Sequence, residues 1–126
     1  MRHAQVIVCE PDLRLGDLLR ECTAKHGWRL RHVRDASSVV GLLRGGAASV
    51  VVLKTGRDLE REFATLERIS RLFPETATVV VGDADHPALA ALAWDLGARY
   101  VLFAPLPREL LPEIVTFLMT GSQRHA

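Results

Sequence analysis

Apolar residues recur along the chain in two patterns, short continuous runs and longer stretches with three- and four-residue spacing. The short runs are typical of strands buried on both faces of a parallel sheet. The spaced stretches are typical of amphipathic helices. We predict five strands, over residues 5–9, 28–33, 49–53, 76–81 and 100–103. We predict five helices, over 13–25, between Asp35 and Gly45, and over 59–73, 87–96 and 108–119.

Aspartates and prolines mark the predicted helix ends. Asp12, Asp35 and Asp85 each precede a helical stretch, where an aspartate side chain can cap the first turn. Pro112 falls inside the last stretch, and a proline in a helix interior costs about 3 kcal/mol. We therefore expect the first regular turn of that helix near Leu110, or a kink at Pro112.

Strands and helices alternate five times with short connections, which indicates a parallel α/β sheet covered by helices on both faces. The expected arrangement is a flavodoxin-like (βα)5 fold with a crevice at the carboxyl ends of its strands. Lys54 lies at that edge, at the end of the most apolar strand. Glu10, Asp12 and Asp83 follow other strands and should lie at the same edge.

Composition narrows the possible functions. The 126 residues suit one domain, and 48% apolar and 25% charged residues are typical of a globular chain. A net charge of +1 gives no general attraction to nucleic acids or anionic membranes. The apolar runs are too short to span a bilayer, and the first residues lead into a strand without a secretory segment. We expect a cytoplasmic protein.

Few residues suggest catalytic or metal chemistry. Cys9 and Cys22 are interpreted as buried thiols of a reducing compartment, and none of the histidines has metal-ligand spacing. No nucleophile elbow or glycine-rich phosphate loop is present, so we expect no enzyme activity and no cofactor. A basic stripe, which we interpret as a solvated strand face because no aromatic platform accompanies it, comprises Arg29, Arg31 and Arg34.

Three connecting pieces are distinctive when taken in order. They are L-L-R-E-C-T-A-K-H-G-W, R-D-A-S-S-V-V-G-L-L and G-A-R-Y-V-L-F-A-P, which belong to the first helix, the second helix and the last strand. With their spacing, they make residues 5–119 resemble a receiver domain of two-component response regulators. The resemblance implies the receiver fold and a role in signal transduction.

The resemblance also implies positions for a phosphorylation site, and this sequence departs from most of them. Receivers hold Mg²⁺ on an acidic pair after the first strand. Here that pair falls on Glu10 and Pro11, with Asp12 next to them. Receivers phosphorylate an aspartate at the end of the third strand, and that position falls on Lys54.

The remaining receiver positions depart in the same way. The hydroxyl residue after the fourth strand falls on Asp83, or on Gly82 with a shift of one residue. The lysine after the fifth strand falls on Ala104. The aromatic residue of the fifth strand falls on Val101, with Tyr100 beside it.

These departures argue against phosphotransfer. A lysine ammonium cannot form the acyl phosphate of a receiver, and a cation at the centre of the site repels Mg²⁺, which needs several oxygen ligands. Without a lysine at Ala104, no cation there holds a phosphoryl oxygen. We expect a degenerate receiver that acts through protein–protein interaction, without aspartyl phosphorylation and without a metal. The alternative is a flavodoxin-like small-molecule-binding or enzymatic domain that uses the crevice around Lys54.

Two interpretations of Lys54 remain open. In one, its ammonium pairs with Glu10, Asp12 and Asp83 and fixes the site permanently. In the other, Lys54 is a solvated lysine at the end of a strand. The first predicts that Lys54→Met changes stability little or raises it. Acidic neighbours should also raise the pKa of Lys54, which disfavours a Schiff-base role.

Partner contacts are expected at the fourth helix, fifth strand and fifth helix, the face that receivers commonly use. In this chain the face carries Trp94, Tyr100 and Val101, and a homodimer or another protein could bind there. The alternative is that Trp94 belongs to the core. We assign residues 1–121 to the receiver-like domain, and 122–126 to a disordered tail or a linker to an effector domain.

Overall fold

A computed structural model describes residues 4–45 and 50–124. Its strands are β1 Gln5–Cys9, β2 Arg29–Val33, β3 Val50–Lys54, β4 Ala77–Gly82 and β5 Tyr100–Phe103. Its α-helices are α1 Arg14–His26, α2 Ser37–Gly45, α3 Leu59–Leu72, α4 Pro87–Asp95 and α5 Leu111–Arg124. A short 3₁₀ helix, Arg108–Leu110, precedes α5. The predicted start of the third strand at Ser49 lies outside the described residues.

The five strands form one parallel sheet in the order β2-β1-β3-β4-β5. This confirms the predicted flavodoxin-like (βα)5 fold, and β2 lies at an edge of the sheet as its alternating pattern predicted. Cys9 pairs with Leu53, and Lys54 pairs with Val81. The register therefore places the ends of β1, β3 and β4 side by side at one edge.

The core has two layers, one on each face of the sheet, because successive strand residues point to opposite faces. Ile7, Val51 and Val80 face the layer that contains α2, α3 and α4. Val6 and Val52 face the layer that contains α1 and α5. Both faces of the central strands are covered, which explains why β1, β3 and β4 are apolar almost throughout.

Two of the predicted caps differ from the structure in position. Leu13 occupies the cap position of α1 without a side-chain capping bond, and Asp12, one position earlier, accepts a hydrogen bond from the Arg14 amide at the start of the helix, at 3.1 Å. The cap of α4 is His86, whose Nδ1 accepts from the Leu89 amide, and not Asp85. In both cases the turn after the strand is one residue longer than the aspartate position suggested.

The helices α3 and α5 agree with their patterns except at the carboxyl end of α5. Glu67 and Arg71 form the predicted pair on α3, with oxygen and nitrogen 3.4 Å apart. Pro112 lies in the first turn of α5, where the missing amide hydrogen costs nothing. The helix then runs to Arg124, so it includes residues 122–124 of the segment predicted as a disordered tail or linker. Continuing an existing helix adds one hydrogen bond per residue, which offsets the polar composition.

Candidate functional site

Lys54 is the centre of a charge cluster at the carboxyl edge of the sheet. Its Nζ donates to Oδ2 of Asp83 at 2.9 Å, and the side chain is 17% exposed. The other oxygen of that carboxylate, Oδ1, pairs with the Arg108 guanidinium. One carboxylate thus bridges two cations. Lys54 is salt-bridged, and the interpretation of a freely solvated lysine does not hold.

The environment of Lys54 lowers its pKa, contrary to the sequence-based expectation. Burial is the main cause, and the Arg108 guanidinium lowers the pKa further. Asp12, Glu62 and Glu10 act in the opposite direction. The carboxylates were expected to dominate, but the side chain lies in the protein and a second cation stands beside it. The bridge to Asp83 holds the ammonium in its charged form.

Glu10 does not pair with Lys54. Its side chain is buried, and its two carboxylate oxygens accept from the amides of Leu15 and Gly16 at 2.8 Å each. These amides belong to the first turn of α1, and the backbone amides of a first turn have no acceptor within their own helix. Burial raises the pKa of Glu10, whereas both amide hydrogen bonds oppose that rise. Glu10 therefore holds the amino end of α1 against β1.

The Asp12 side chain pairs with Arg14 and not with Lys54. Its side chain is exposed, and its pKa is lowered chiefly by the Arg14 amide. The Nε2–H of His32 donates to the Asp12 carbonyl at 2.7 Å, and the same nitrogen lies 3.8 Å from Oε2 of Glu10. His32 thereby joins β2 to the loop after β1. Of the three carboxylates expected around Lys54, only Asp83 forms a bridge with it.

The loop after β3 is held by a buried glutamate that the sequence did not single out. Glu62 of α3 accepts from the amides of Gly56 at 2.9 Å and Asp58 at 3.2 Å. Asp58 in turn accepts from the Arg61 amide and caps α3. Thr55 adds two bonds to the carbonyl of Val81, one from its amide and one from its hydroxyl. The backbone after Lys54 is thus held by Glu62 of α3 and by the hydrogen bonds of Thr55 to β4.

Ala104 brings no charge to the site. It follows β5, its amide donates to the Gly82 carbonyl at 3.3 Å, and its peptide bond to Pro105 is cis. The charge that approaches Asp83 from this side comes instead from Arg108, one short turn further along the chain. Sequence reasoning missed Arg108. Arg108 is the first basic residue after β5, and β5 ends at the same edge of the sheet. This position in the sequence could have identified it as a residue of the site.

Two clefts flank Lys54. The larger has a volume of about 570 Å³ and lies between the ends of β3 and β4 and the start of α4, with Lys54, Asp83 and Phe103 in its wall. The smaller, of about 380 Å³, has Glu10 and Lys54 in its wall and opens between the loops after β1 and β3. Both volumes are in the range of small-molecule sites.

Metal-binding side chains do not gather here. Within residues 4–45 and 50–124, no group of three or more histidine, cysteine, aspartate or glutamate side chains could hold a metal ion. Glu10 directs both oxygens at backbone amides, and the Lys54 ammonium occupies the space next to Asp83. Cys9 is buried and Cys22 partly buried, and both are free thiols.

The residues of the predicted contact face differ in exposure. Trp94 is 48% exposed, so the alternative that it belongs to the core is wrong. Its ring meets Tyr100 edge-on, with centroids 6.0 Å apart. Val101 was predicted to lie on this face, but that prediction is wrong, because its side chain is buried in the layer under α4. A groove of about 260 Å³ runs beside Trp94, with Val101 in its floor and Leu106 at its rim.

The architecture is that of response-regulator receiver domains. Comparison with solved structures finds 390 matching chains. A CheY-like receiver domain from Methanospirillum hungatei matches at a TM-score of 0.81 and 11% identity, over 98% of this chain and 99% of the other. A response regulator from Thermotoga maritima matches at 0.80 and 18%, over 94% and 98%.

A third match is longer than this chain. NtrX from Brucella abortus gives a TM-score of 0.76 and 20% identity over 98% of this chain, which spans 28% of the NtrX chain. At these identities the likeness establishes the fold. Comparison with protein-family models gives no match, and neither does comparison with curated proteins. Among the described residues, no helix combines the length and apolar character needed to cross a membrane.

Proposed function

We propose that this chain is a receiver-fold regulatory module in signal transduction that works without aspartyl phosphorylation. The matched structures are response regulators and receiver domains, which supports the signalling role. The observation that carries the rest of the proposal is the bridge from Lys54 to Asp83 at the end of β3. An ammonium there excludes an acyl phosphate at that position and repels Mg²⁺.

In this proposal, Lys54 stands at the phosphoacceptor position and Ala104 at the position of the family's lysine. Asp83 and Arg108 complete the cluster, in which one carboxylate pairs with both cations and engages Lys54 directly. Glu10 holds α1, because both of its carboxylate oxygens accept from amides of that helix. The module would then act through contact with a partner and would need no phosphoryl transfer. An effector domain joined to it, as the length of NtrX illustrates, is compatible with this role.

Incubation with acetyl phosphate and Mg²⁺, followed by intact-mass measurement, tests the absence of phosphorylation. We expect no stable adduct, whereas a phosphorylated receiver gains about 80 Da, the mass of one phosphoryl group. An active receiver treated in parallel serves as the positive control. A stable adduct on this chain would contradict the proposal, and peptide mapping would then show which carboxylate accepted the group.

The contact face of the module comprises Trp94, Tyr100 and the groove over Val101. Trp94 is half exposed and packs edge-on against another ring, and aromatic side chains of this kind are typical interface anchors. Leu106, 46% exposed, extends the apolar surface at the rim. We propose that a protein partner covers this face and that a second copy of the chain is the first partner to test.

Sedimentation velocity at micromolar concentration tests the homodimer. We expect the wild type to sediment as a dimer, and Trp94→Glu to sediment as a monomer because it places a charge in the apolar interface. Leu92→Glu is the matched control, since Leu92 is 42% exposed on the same helix but does not line the groove. A monomeric wild type, or equal effects of both variants, counts against a dimer through this face.

The two clefts beside Lys54 are the observation that favours the alternative function, a small-molecule-binding domain. A ligand that co-purifies with the chain and is released on denaturation would support it. Native mass spectrometry before and after denaturation makes that comparison directly.

A further inference from the structure

The three charges at the sheet edge differ in exposure. Lys54 and Arg108 are 17% and 30% exposed, whereas the side chain of Asp83 is 64% exposed. Asp83 lies in the loop after β4, beyond the last strand residue, Gly82. A carboxylate in this position can turn into water at small cost. The two cations cannot do so, because the protein surrounds most of each side chain.

The larger cleft opens on two of these residues, Lys54 and Asp83, while Arg108 contacts the cleft residue Asp83 from outside the lining. Arg57 also stands in its wall, together with the apolar side chains of Leu59, Leu89 and Phe103. A cavity of about 570 Å³ with an apolar wall and a few charged groups at one side has the make-up of a site for a small organic molecule. The charged side would orient one polar group of that molecule.

We propose that Lys54 and Arg108 bind the carboxylate of a small organic acid whose apolar body lies in this cleft, and that Asp83 occupies their site when no ligand is present. This goes beyond the regulatory role proposed above, since it gives the module an input that needs no phosphoryl transfer. The ligand would replace Asp83 on both cations, while Asp83 turns outward.

The exchange is physically balanced. One carboxylate replaces another, so neither cation is left unpaired in the protein, where an unpaired charge is costly. Burial of the ligand's apolar body in the cleft then supplies the gain that favours the ligand. Because Arg108 lowers the pKa of Lys54, an anion that lies between them also favours the charged lysine.

The surroundings favour a monoanionic carboxylate over inorganic phosphate. Asp12, Glu62 and Glu10 all act electrostatically on Lys54, so the field at the site already contains three acidic groups. A second negative charge on the ligand adds repulsion from each of them. Phosphate also has no apolar part to bury against Leu89 and Phe103. The apolar wall of the cleft therefore favours an organic monocarboxylate over inorganic phosphate.

Binding of benzoate to Asp83→Ala tests the proposal, with isothermal titration calorimetry as the measurement. Removal of the internal competitor should tighten benzoate binding by at least about tenfold relative to the wild type, because the free site is then always available. Asp85→Ala is the matched control. It removes an exposed carboxylate two residues away and should bind benzoate as the wild type does. The double variant Asp83→Ala/Lys54→Met should lose this binding.

Three probes and a second variant complete the design. Benzyl alcohol lacks the carboxylate charge, and acetate lacks the apolar ring. Each should bind Asp83→Ala at least about tenfold more weakly than benzoate does. Asp83→Asn repeats the measurement if the alanine variant does not fold. Equal benzoate affinity in the wild type and the Asp83 variants, retention in the double variant, or tighter binding of inorganic phosphate than of benzoate would each overturn the proposal. A phosphoryl adduct in the acetyl phosphate experiment contradicts the proposed function and leaves these binding results unaffected.

Discussion

Glu10 and Asp83 are carboxylates at the same edge of the sheet, and their neighbours give them different roles. Glu10 is almost fully buried and accepts from two amides of α1, so it stabilises the junction of β1 with that helix. Asp83 is mostly exposed and bridges Lys54 and Arg108. Exposed ion pairs contribute little to stability, whereas amides left without acceptors in a buried site are costly. At the residue scale, Glu10 should therefore matter more for folding than the bridge at Lys54.

Glu10→Ala provides the first test at this scale. The variant leaves the amides of Leu15 and Gly16 without their acceptors, and we expect the free energy of unfolding to fall by about 2–3 kcal/mol. Urea denaturation with a native-state probe measures the change. Asp12→Ala is the matched control, because Asp12 is exposed and accepts from only one amide of the same turn, so its effect should be clearly smaller. Equal losses in the two variants would show that Glu10 is not the anchor of α1.

At the scale of elements, the sequence predicted the strands and helices better than the contacts between them. The bounds of β1 and β5 follow from continuous apolar runs, and those of α3 follow from a regular three- and four-residue spacing. These signals are local. The cap of α4 depends on the length of the turn after β4, which tertiary packing sets, and the aspartate rule therefore chose Asp85 in place of His86.

The turn between α4 and β5 supports a prediction about Gly97. Its φ is +108°, and a Cβ placed there would lie 2.6 Å from Cβ of Ser70 on α3 and would also overlap the Ser70 hydroxyl. Gly97→Ala should lower the free energy of unfolding by about 2–4 kcal/mol, through backbone strain and this overlap. The double variant Gly97→Ala/Ser70→Ala should recover part of the loss, since it removes the hydroxyl.

Gly41→Ala serves as the control for that substitution. Gly41 lies inside α2, and nothing stands within 4 Å of an added Cβ. Alanine there should stabilise the protein by about 0.5–1 kcal/mol, because glycine is a poor helix former. If Gly97→Ala proved as harmless as Gly41→Ala in thermal or urea denaturation, the close packing of α3 against this turn would be refuted.

At the scale of the whole molecule, topology explains which charges meet and packing decides which of them pair. The strand order was predicted, and it was sufficient to bring Glu10, Lys54 and Asp83 to one edge. It did not determine that Glu10 turns toward α1, or that Arg108 reaches Asp83 from beyond β5. Those outcomes depend on side-chain conformations and on a connection between distant elements, for which a single sequence gives no local signal.

Cys9, at the end of β1, is buried near several carboxylates, and its thiol makes the stability of the protein depend on pH. Burial raises the pKa of this thiol from 9.0 to about 12, and the charges of Asp35, Glu62 and Glu10 add to the effect. The unfolded chain therefore loses this proton at lower pH than the folded one. The stability associated with the neutral thiol is fully present below pH 9.0 and is lost progressively as pH rises toward about 12.

We expect the wild type to lose about 1 kcal/mol of unfolding free energy through Cys9 between roughly pH 8 and pH 10. Cys9→Ala lacks this group, so its stability should fall less over the same interval, even though the smaller side chain lowers its stability at every pH. Urea denaturation of both proteins across this interval measures the two slopes, and their difference removes the contributions of other groups that titrate there. Parallel slopes would mean that the Cys9 thiol ionises as easily in the folded chain as in the unfolded one. That result would contradict the effect of burial, the main cause of the raised pKa, together with the smaller effect of the neighbouring carboxylates.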